Sequence, residues 1–168
     1  MIAKSLLATI VSGLILLIGQ PSSMAAASPS LAGSWQFTLT PATSPTPGVS
    51  IPGLATFTTN GPVIETDGAE VSPGIGAITA TPTYGTPGHG IWQLSPCMCN
   101  FYVQYLSLAV NADGTLNATN VTTATVALTS TGTQFSGSYT TVQEAGGVTK
   151  IIGSGAISGT LIPHPKLP

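Results

Sequence analysis

The sequence predicts an all-β protein: a single antiparallel up-and-down β-barrel of about eight strands, which follows a cleaved N-terminal signal peptide. Three observations predict this fold class. Apolar and polar residues alternate through most of the chain after residue 33, no segment there has a convincing helical period, and the later strands are joined by short loops with Gly or Asp at their tips. An open meander would leave two unpaired edges with almost no charge to protect them, so a closed barrel is favoured over a sandwich.

The beginning of the chain predicts export. Lys4 precedes an apolar run at residues 6–18, which is shorter than the ~20 residues that a membrane-spanning helix needs. Ala25-Ala26-Ala27 then offers a cleavage site of small residues. We expect a secreted or periplasmic protein with no stable membrane span after cleavage. Its expected parts are a signal peptide at 1–27 and a barrel domain at 28–168, with an ordered core at about 31–162 and a tail at 163–168.

Charge is sparse along the whole chain. After cleavage the protein would carry two lysines, Lys150 and Lys166, against five acids, a net charge of −3, and arginine is absent. Nucleic-acid binding needs a basic surface that displaces counterions from phosphates, and anionic lipids attract basic segments. We therefore expect neither partner, and recognition must depend on shape, aromatic surface and neutral hydrogen bonds.

The strands can be placed in order along the chain. In residues 33–40 the large side chains Trp35, Phe37 and Leu39 alternate with polar ones, which is typical of a half-buried strand. Residues 54–59 and 63–66 continue the alternation on either side of the hairpin signal Asn60-Gly61. A short strand at 76–81 and a turn-rich connector at 82–88 follow. Longer strands are predicted at 89–94, 101–110, 115–129, 133–143 and 148–162.

The densest chemistry lies in GHGIWQLSPCMCNFYV, residues 88–103. With a loop of two or four residues around Ser95-Pro96, strand alternation predicts two distinct faces. The apolar face would hold Trp92, Leu94, Cys97, Cys99 and Phe101, and the opposite face would hold His89, Ile91, Gln93, Met98 and Asn100. Because Met98 and His89 would point away from both thiols, the arrangement disfavours a metal site.

The two cysteines leave three alternatives open. Cys97 and Cys99 could form a disulfide in an exported protein, pack as buried thiols, or pair between chains. In a straight strand their Cα atoms would be roughly 6.5 Å apart, near the limit for a bridge. A disulfide would therefore need a local kink, which Pro96 could supply.

No catalytic residue, metal site or cofactor is predicted. A weak hydrolase or isomerase could be built only from His89 and the acids Glu65, Asp67 and Glu70, if two carboxylates shifted each other's pKa. The simpler interpretation of these acids is a solvated loop. A calcium site at the same residues lacks the regular spacing of a known calcium loop.

Two resemblances bear on the fold. Gly33-Ser34-Trp35 resembles the G-x-W opening of the calycin barrels, the group of lipocalins, fatty-acid-binding proteins and avidins, although the lipocalin arginine and T-D-Y motif are missing. In that group the tryptophan closes one end of a barrel whose interior often binds a small apolar molecule. A longer resemblance is to exported bacterial proteins without assigned function. It includes Gly88-His89-Gly90-Ile91-Trp92 and Phe135-Ser136-Gly137-Ser138-Tyr139, and it implies a barrel and a bacterial origin but no activity.

These patterns lead to two main functional hypotheses and a third. The first is a barrel that binds a small apolar or neutral ligand in its interior, lined by Trp35, Phe37, Leu39, Phe57, Trp92, Phe101, Phe135 and Tyr139. The alternative is a non-enzymatic structural or interaction module at the cell exterior, with a filled core and neutral outer faces that contact glycans or sister chains. The third is the weak enzyme built on His89. A pocket of a few hundred cubic ångströms favours the first hypothesis, and a filled interior favours the second. The sequence makes no prediction of the oligomeric state.

Overall fold

The computed structural model of the protein describes residues 28–42, 49–68 and 84–164. The predicted signal peptide at 1–27, the predicted strand at 76–81, Glu70 and Lys166 lie outside the described residues. The strands are β1 (Gly33–Pro41), β2 (Ile51–Phe57), β3 (Pro62–Asp67), β4 (Tyr84–Gly85), β5 (Gly88–Leu94), β6 (Phe101–Val110), β7 (Leu116–Leu128), β8 (Gln134–Ala145) and β9 (Val148–Leu161). None of the described residues belongs to a helix that is long and apolar enough to cross a membrane.

The sheet closes on itself as an antiparallel barrel. Going round the ring, the strands follow in the order β1-β2-β3-β5-β6-β7-β8-β9, and every neighbouring pair is antiparallel. The last strand, β9, pairs with β1 along seven residue pairs, with Phe37 opposite Gly159. Eight strands therefore complete an up-and-down ring, and the fold class predicted from the sequence is confirmed.

Two strands differ from the prediction where a proline lies in or beside the strand. The connector predicted at 82–88 contains β4, whose Tyr84 lies opposite Val110 at the end of β6. Thr86 N donates to Leu108 O, and β5 then continues along the same edge of β6 beyond Pro87. Proline lacks an N–H group and cannot donate to a strand ladder. A proline-rich segment is therefore predicted to be a turn, even where the proline only interrupts the hydrogen bonds between two strands. For the same reason β2 begins at Ile51, before Pro52, earlier than the predicted residue 54.

The alternation predicted from the sequence places the large rings inside the barrel. Seven of the eight predicted interior side chains are buried and Trp92 is half-buried against them; the seven are Trp35, Phe37, Leu39, Phe57, Phe101, Phe135 and Tyr139. Ring centroids are 5.0 Å apart between Trp35 and Phe135 and 5.7 Å apart between Trp92 and Phe101. The interior is therefore a continuous aromatic and aliphatic core.

One end of the barrel is closed by the segment that precedes β1. Leu31 is completely buried, and its carbonyl oxygen accepts a hydrogen bond of 2.7 Å from Trp35 Nε1. Because a buried indole N–H needs an acceptor, this bond fixes both the ring and the entering chain. Trp92 is satisfied in the same way by Thr58 O, at 2.9 Å.

Glycines opposite the rings allow the barrel interior to be filled. A Cβ atom on Gly53 would overlap with the ring of Phe37, and one on Gly159 would overlap with the ring of Phe135. Each ring therefore lies over the bare backbone of a neighbouring strand. This arrangement uses the space that a glycine leaves in a sheet and packs the interior densely.

Gly137 is predicted to be essential for the coiling of β8. A Cβ atom there would overlap with the carbonyl oxygen of Thr125 in β7. Gly137→Ala should therefore lower the free energy of unfolding by at least about 2 kcal/mol. This loss is larger than the gain that alanine brings by reducing the entropy of the unfolded chain. Ser138→Ala, at the exposed neighbouring position, should change it by no more than about 0.5 kcal/mol. Urea denaturation followed by tryptophan fluorescence measures both values, and equal stability of the two variants would contradict the steric argument.

Candidate functional site

The predicted ligand-binding residues fill a core in the described part of the chain. The interior cavity lined by described residues has a volume of about 20 Å³. Its lining includes Phe37, Phe57 and Phe135, with Glu65 and Tyr105 as its polar members. A cavity of this size has room for about one water molecule, well short of the roughly 300 Å³ of a small-molecule pocket.

Polar side chains collect inside the barrel beyond this aromatic core. The buried polar residues include Glu65, Thr122 and Gln143, and Tyr105 is buried beside them. A Cβ atom on Gly88 would lie 2.6 Å from Tyr105 Cδ2 and 2.7 Å from Glu65 Oε1, so the missing side chain of Gly88 makes room for both groups. Sequence reasoning did not single out Tyr105, Thr122 or Gln143. The sequence signal that could have identified them is that each lies at an inward-facing position in the alternation of a long strand.

Hydrogen bonds connect part of this polar group across the strands. The Thr122 and Thr141 hydroxyls are 2.9 Å apart, and Gln143 Nε2 donates to Asn120 Oδ1 at 2.9 Å. Both contacts join β7 to β8 inside the barrel. Such bonds offset the cost of burying hydroxyl and amide groups.

The electrostatics of this region oppose a further negative charge. Burial raises the pKa of Tyr105 well above its ordinary value, and the carboxylates of Glu65 and Asp67 raise it further, while a hydrogen bond from Thr122 acts in the opposite direction. Burial also raises the pKa of Tyr139, with a smaller effect of Asp67. Both phenols therefore keep their protons well into the alkaline range.

Two residues of the third hypothesis, His89 and Glu65, lie on opposite sides of the sheet. His89 is exposed on the outer face of β5, opposite Ile64 and Leu106, whereas Glu65 is buried inside the barrel. The wall of the sheet separates the two side chains, so they cannot act as a base and its orienting acid. Among the described residues, no group of three His, Cys, Asp or Glu side chains is arranged to hold a metal ion.

The hairpin that carries the cysteines has a longer loop than predicted. Leu94 lies opposite Phe101, so the loop comprises residues 95–100 rather than two or four residues. The even shift keeps Trp92, Leu94 and Phe101 on the inner face as predicted. Cys97 and Cys99, however, lie in the exposed turn and not on that face, because they belong to the loop and no longer follow the alternation of a strand.

Of the three alternatives for the cysteines, the structure contains the disulfide between Cys97 and Cys99. Their Cα atoms are 5.3 Å apart, which is less than a straight strand would give. Met98 has a φ of +55° between the two cysteines, and its N–H donates to Ser95 O in the turn that contains Pro96.

The outer wall carries a groove of about 330 Å³ over β5, β6, β7 and β8. Two cross-strand rows of outward-pointing residues form it. The first row is Gln93, Tyr102, Thr125 and Ser138, and the second is Ile91, Gln104, Thr123 and Thr140. Since strand neighbours on one face are about 5 Å apart, the rows form a continuous surface across four strands.

This groove is neutral and contains an exposed aromatic ring. Tyr102 is 45% exposed and Ile91 is 58% exposed, and the other six side chains of the two rows are amides or hydroxyls. Strand coiling beside the groove depends on two glycines. A Cβ atom on Gly90 would overlap with the carbonyl oxygen of Gln104. A Cβ atom on Gly137 would overlap in the same way with the carbonyl oxygen of Thr125.

A second groove, of about 400 Å³, lies over β1, β8 and β9. Its outward-pointing lining is also neutral and includes Gln36, Thr38, Gln134, Ser136 and Thr160. No tyrosine or tryptophan lines it, and Phe135 belongs to the buried core. The two grooves therefore share their polar chemistry and differ in the exposed ring.

Comparisons of this chain with protein-family models, with curated proteins and with solved structures return no match.

The protonated phenol inside the barrel predicts a loss of stability in alkali. Unfolded Tyr105 ionises near its ordinary pKa of 10.0, whereas the folded protein keeps the proton. This contribution to the free energy of unfolding is complete below about pH 10 and decreases as the pH rises towards the folded-state pKa. Tyr105→Phe should therefore show a flatter pH dependence above pH 10, although it is less stable at pH 7 by about 1 kcal/mol because a hydrogen bond is lost.

Urea midpoints between pH 7 and pH 11 measure this effect, with Tyr102→Phe on the outer wall as the matched control. If Tyr105→Phe and the unsubstituted protein lost stability in parallel above pH 10, the raised pKa would not be the cause.

Proposed function

We propose that the protein is an exported, non-enzymatic interaction module that binds neutral glycans in the wall groove formed by the rows of Tyr102 and Gln104. The observation that carries this proposal is the pairing of a densely packed core among the described residues with a large, uncharged outer groove around an exposed tyrosine. The interior cavity holds about 20 Å³ and the groove about 330 Å³.

The charge of the groove favours a neutral ligand. Its two rows contain no acidic or basic side chain, and a charged ligand would lose hydration there without gaining a partner of opposite charge. Amide groups such as those of Gln93 and Gln104 each offer donors and an acceptor, and the threonine hydroxyls offer both as well. Sugar hydroxyls have the same dual character, so a glycan can satisfy this surface without any ion pair.

The exposed ring favours a ligand with an apolar face. Tyr102 presents an apolar ring face and a polar hydroxyl, and Ile91 adds apolar surface in the adjacent row. The C–H face of a pyranose ring fits such a ring, while its hydroxyl rim reaches the flanking amides and hydroxyls. Neighbouring strands are about 5 Å apart, so a groove four strands wide gives room for two or more sugar units.

The proposed location agrees with this ligand. The signal-peptide pattern at residues 1–27 supports export to the periplasm or the medium, where polysaccharides are exposed. The Gly33-Ser34-Trp35 opening supports a calycin-like relationship, and the burial of Trp35 with its bond to Leu31 O is compatible with it. That relationship concerns the scaffold, and the binding surface we propose is on the outside of the scaffold.

A second candidate is a small ligand at the interior cavity. The observation that favours it is the presence of two polar groups, Glu65 and Tyr105, on the lining of an otherwise apolar cavity. A ligand there would have to displace core rings such as Phe37 and Phe57. Native mass spectrometry of the protein from its producing cells separates the candidates, because an interior ligand would be retained as a defined mass increment.

The groove proposal predicts a specific effect of Tyr102→Ala. Depletion of the protein from solution by insoluble cellulose, chitin and starch should identify at least one neutral polysaccharide that binds. The substitution should weaken that binding about tenfold, the effect of losing roughly 1.4 kcal/mol of ring contact. Tyr84→Ala is the matched control, because Tyr84 is 48% exposed but lies opposite Val110, about 26 Å along β6 from Tyr102.

Salt provides an independent check of the neutral interface. Since the groove contains no charge, binding should change less than about twofold between 50 mM and 500 mM sodium chloride. Equal losses in Tyr102→Ala and Tyr84→Ala, a steep salt dependence, or no binding to any of the three polysaccharides would overturn the proposal.

A further inference from the structure

The turn at residues 95–100 has the features of a reactive disulfide. Cys97 and Cys99 are both exposed, at the tip of the hairpin between β5 and β6. Exposure makes the bond accessible to an external thiolate, which must approach one of the sulfur atoms for exchange. Met98 between them is 54% exposed and Pro96 is also exposed, so the tip presents apolar surface beside the bond.

This disulfide contributes little to holding the fold together. It joins residues that are two apart in sequence, and the loss of chain entropy on cross-linking increases with the length of the closed loop. The strands on either side are already joined by the ladder from Leu94–Phe101 to His89–Leu106. A structural role therefore does not account for the bond.

The backbone of the turn favours opening of the bond. Met98 has a φ of +55°, the left-handed region that side chains other than glycine adopt at a cost. The bridge brings Cα97 and Cα99 to 5.3 Å and requires a sharp bend at the residue between them. Reduction releases this requirement, and strained or exposed disulfides are the ones that exchange readily.

Ser95 is placed to stabilise a leaving thiolate. Its side chain is buried, and Ser95 Oγ is 3.1 Å from Cys97 Sγ and 3.9 Å from Cys99 Sγ. Since a disulfide sulfur can only accept, the hydroxyl donates to Cys97 while it accepts a 3.2 Å bond from Asn100 N. A hydrogen bond to a charged sulfur is stronger than one to a neutral sulfur, so Ser95 favours departure of Cys97 as the thiolate.

We propose that the Cys97–Cys99 turn is a thiol–disulfide exchange site that accepts two electrons from an external dithiol, independently of glycan binding. A thiolate of the dithiol attacks Cys99 Sγ, the bond between the two cysteines breaks, and its electron pair leaves on Cys97 Sγ, which then takes up a proton. The second thiol of the dithiol loses its proton and attacks the mixed disulfide, releasing Cys99 as a thiolate that is protonated in turn. The dithiol is oxidised to a disulfide, and the protein disulfide is reduced to two thiols.

The rate of reduction by dithiothreitol tests the site directly. The full chain is treated anaerobically with the dithiol at pH 7, quenched by alkylation and read by intact mass, which counts the free thiols. The second-order rate constant should exceed that of oxidised glutathione by at least about tenfold, because the bond is exposed and its leaving group is stabilised. A rate equal to or below that of oxidised glutathione would overturn the proposal.

Two substitutions at Ser95 isolate the hydroxyl. Ser95→Ala should slow the reduction about tenfold, whereas Ser95→Thr keeps a hydroxyl and should restore most of the rate. Equal rates in both variants would show that Ser95 does not stabilise the leaving thiolate and would contradict the mechanism.

Two substitutions at Met98 isolate the backbone. Glycine adopts a φ of +55° without cost, so Met98→Gly should shift the equilibrium with dithiothreitol towards the oxidised protein several-fold, while Met98→Ala should not. Identical equilibria in the two variants would contradict the release of backbone strain on reduction.

The double substitution Cys97→Ser with Cys99→Ser tests whether the bond stabilises the fold. It should lower the melting temperature by no more than about 5 °C, and a larger fall would assign the bond a structural role instead.

Discussion

Pairing of β9 with β1 is the constraint on which the other features of this structure depend. Seven residue pairs join the last strand to the first, and they convert the meander of described strands into a closed ring. The chain has few charges with which to protect an edge, so closure replaces the usual protection by lysines or acids. Closure also sets a limited interior volume, and eight strands enclose space only for side chains or one small ligand.

The interior volume is taken up by rings that lie over glycines. Phe37 covers Gly53 and Phe135 covers Gly159, and Trp35 packs against Phe135 near the closed end. Because each ring uses the space left by a missing side chain, the described interior has a cavity of only about 20 Å³. Outside the barrel, the hydrogen-bonded ladders between β5, β6, β7 and β8 give the outward-pointing rows their regular spacing. The functional proposals therefore concern the outside of the barrel and the tip of one hairpin.

The polar side chains inside the barrel favour the correct strand register, whereas the aromatic rings fill the interior volume. Thr122, Thr141, Asn120 and Gln143 form hydrogen bonds between β7 and β8 where the aromatic core ends. Tyr105 keeps its proton there because burial and nearby carboxylates oppose the phenolate. Hydrogen-bonded groups of this kind cost little when fully satisfied, and they favour one register of the two strands over its neighbours.

The sequence by itself determined which side chains point into the barrel, because strand geometry repeats every two residues and each residue's side follows from its place in the alternation. Trp35, Phe101 and Phe135 follow from this rule without any knowledge of pairing. Only the tertiary structure decided what depends on register and volume. The groove of Tyr102 and Thr125 exists because two residues 23 positions apart are opposite each other in β6 and β7, and the exposed cysteine turn exists because Leu94 pairs with Phe101 and Met98 turns into the left-handed region. Cross-strand neighbours and the space between packed rings arise from contacts between distant parts of the chain, and local alternation carries no information about either.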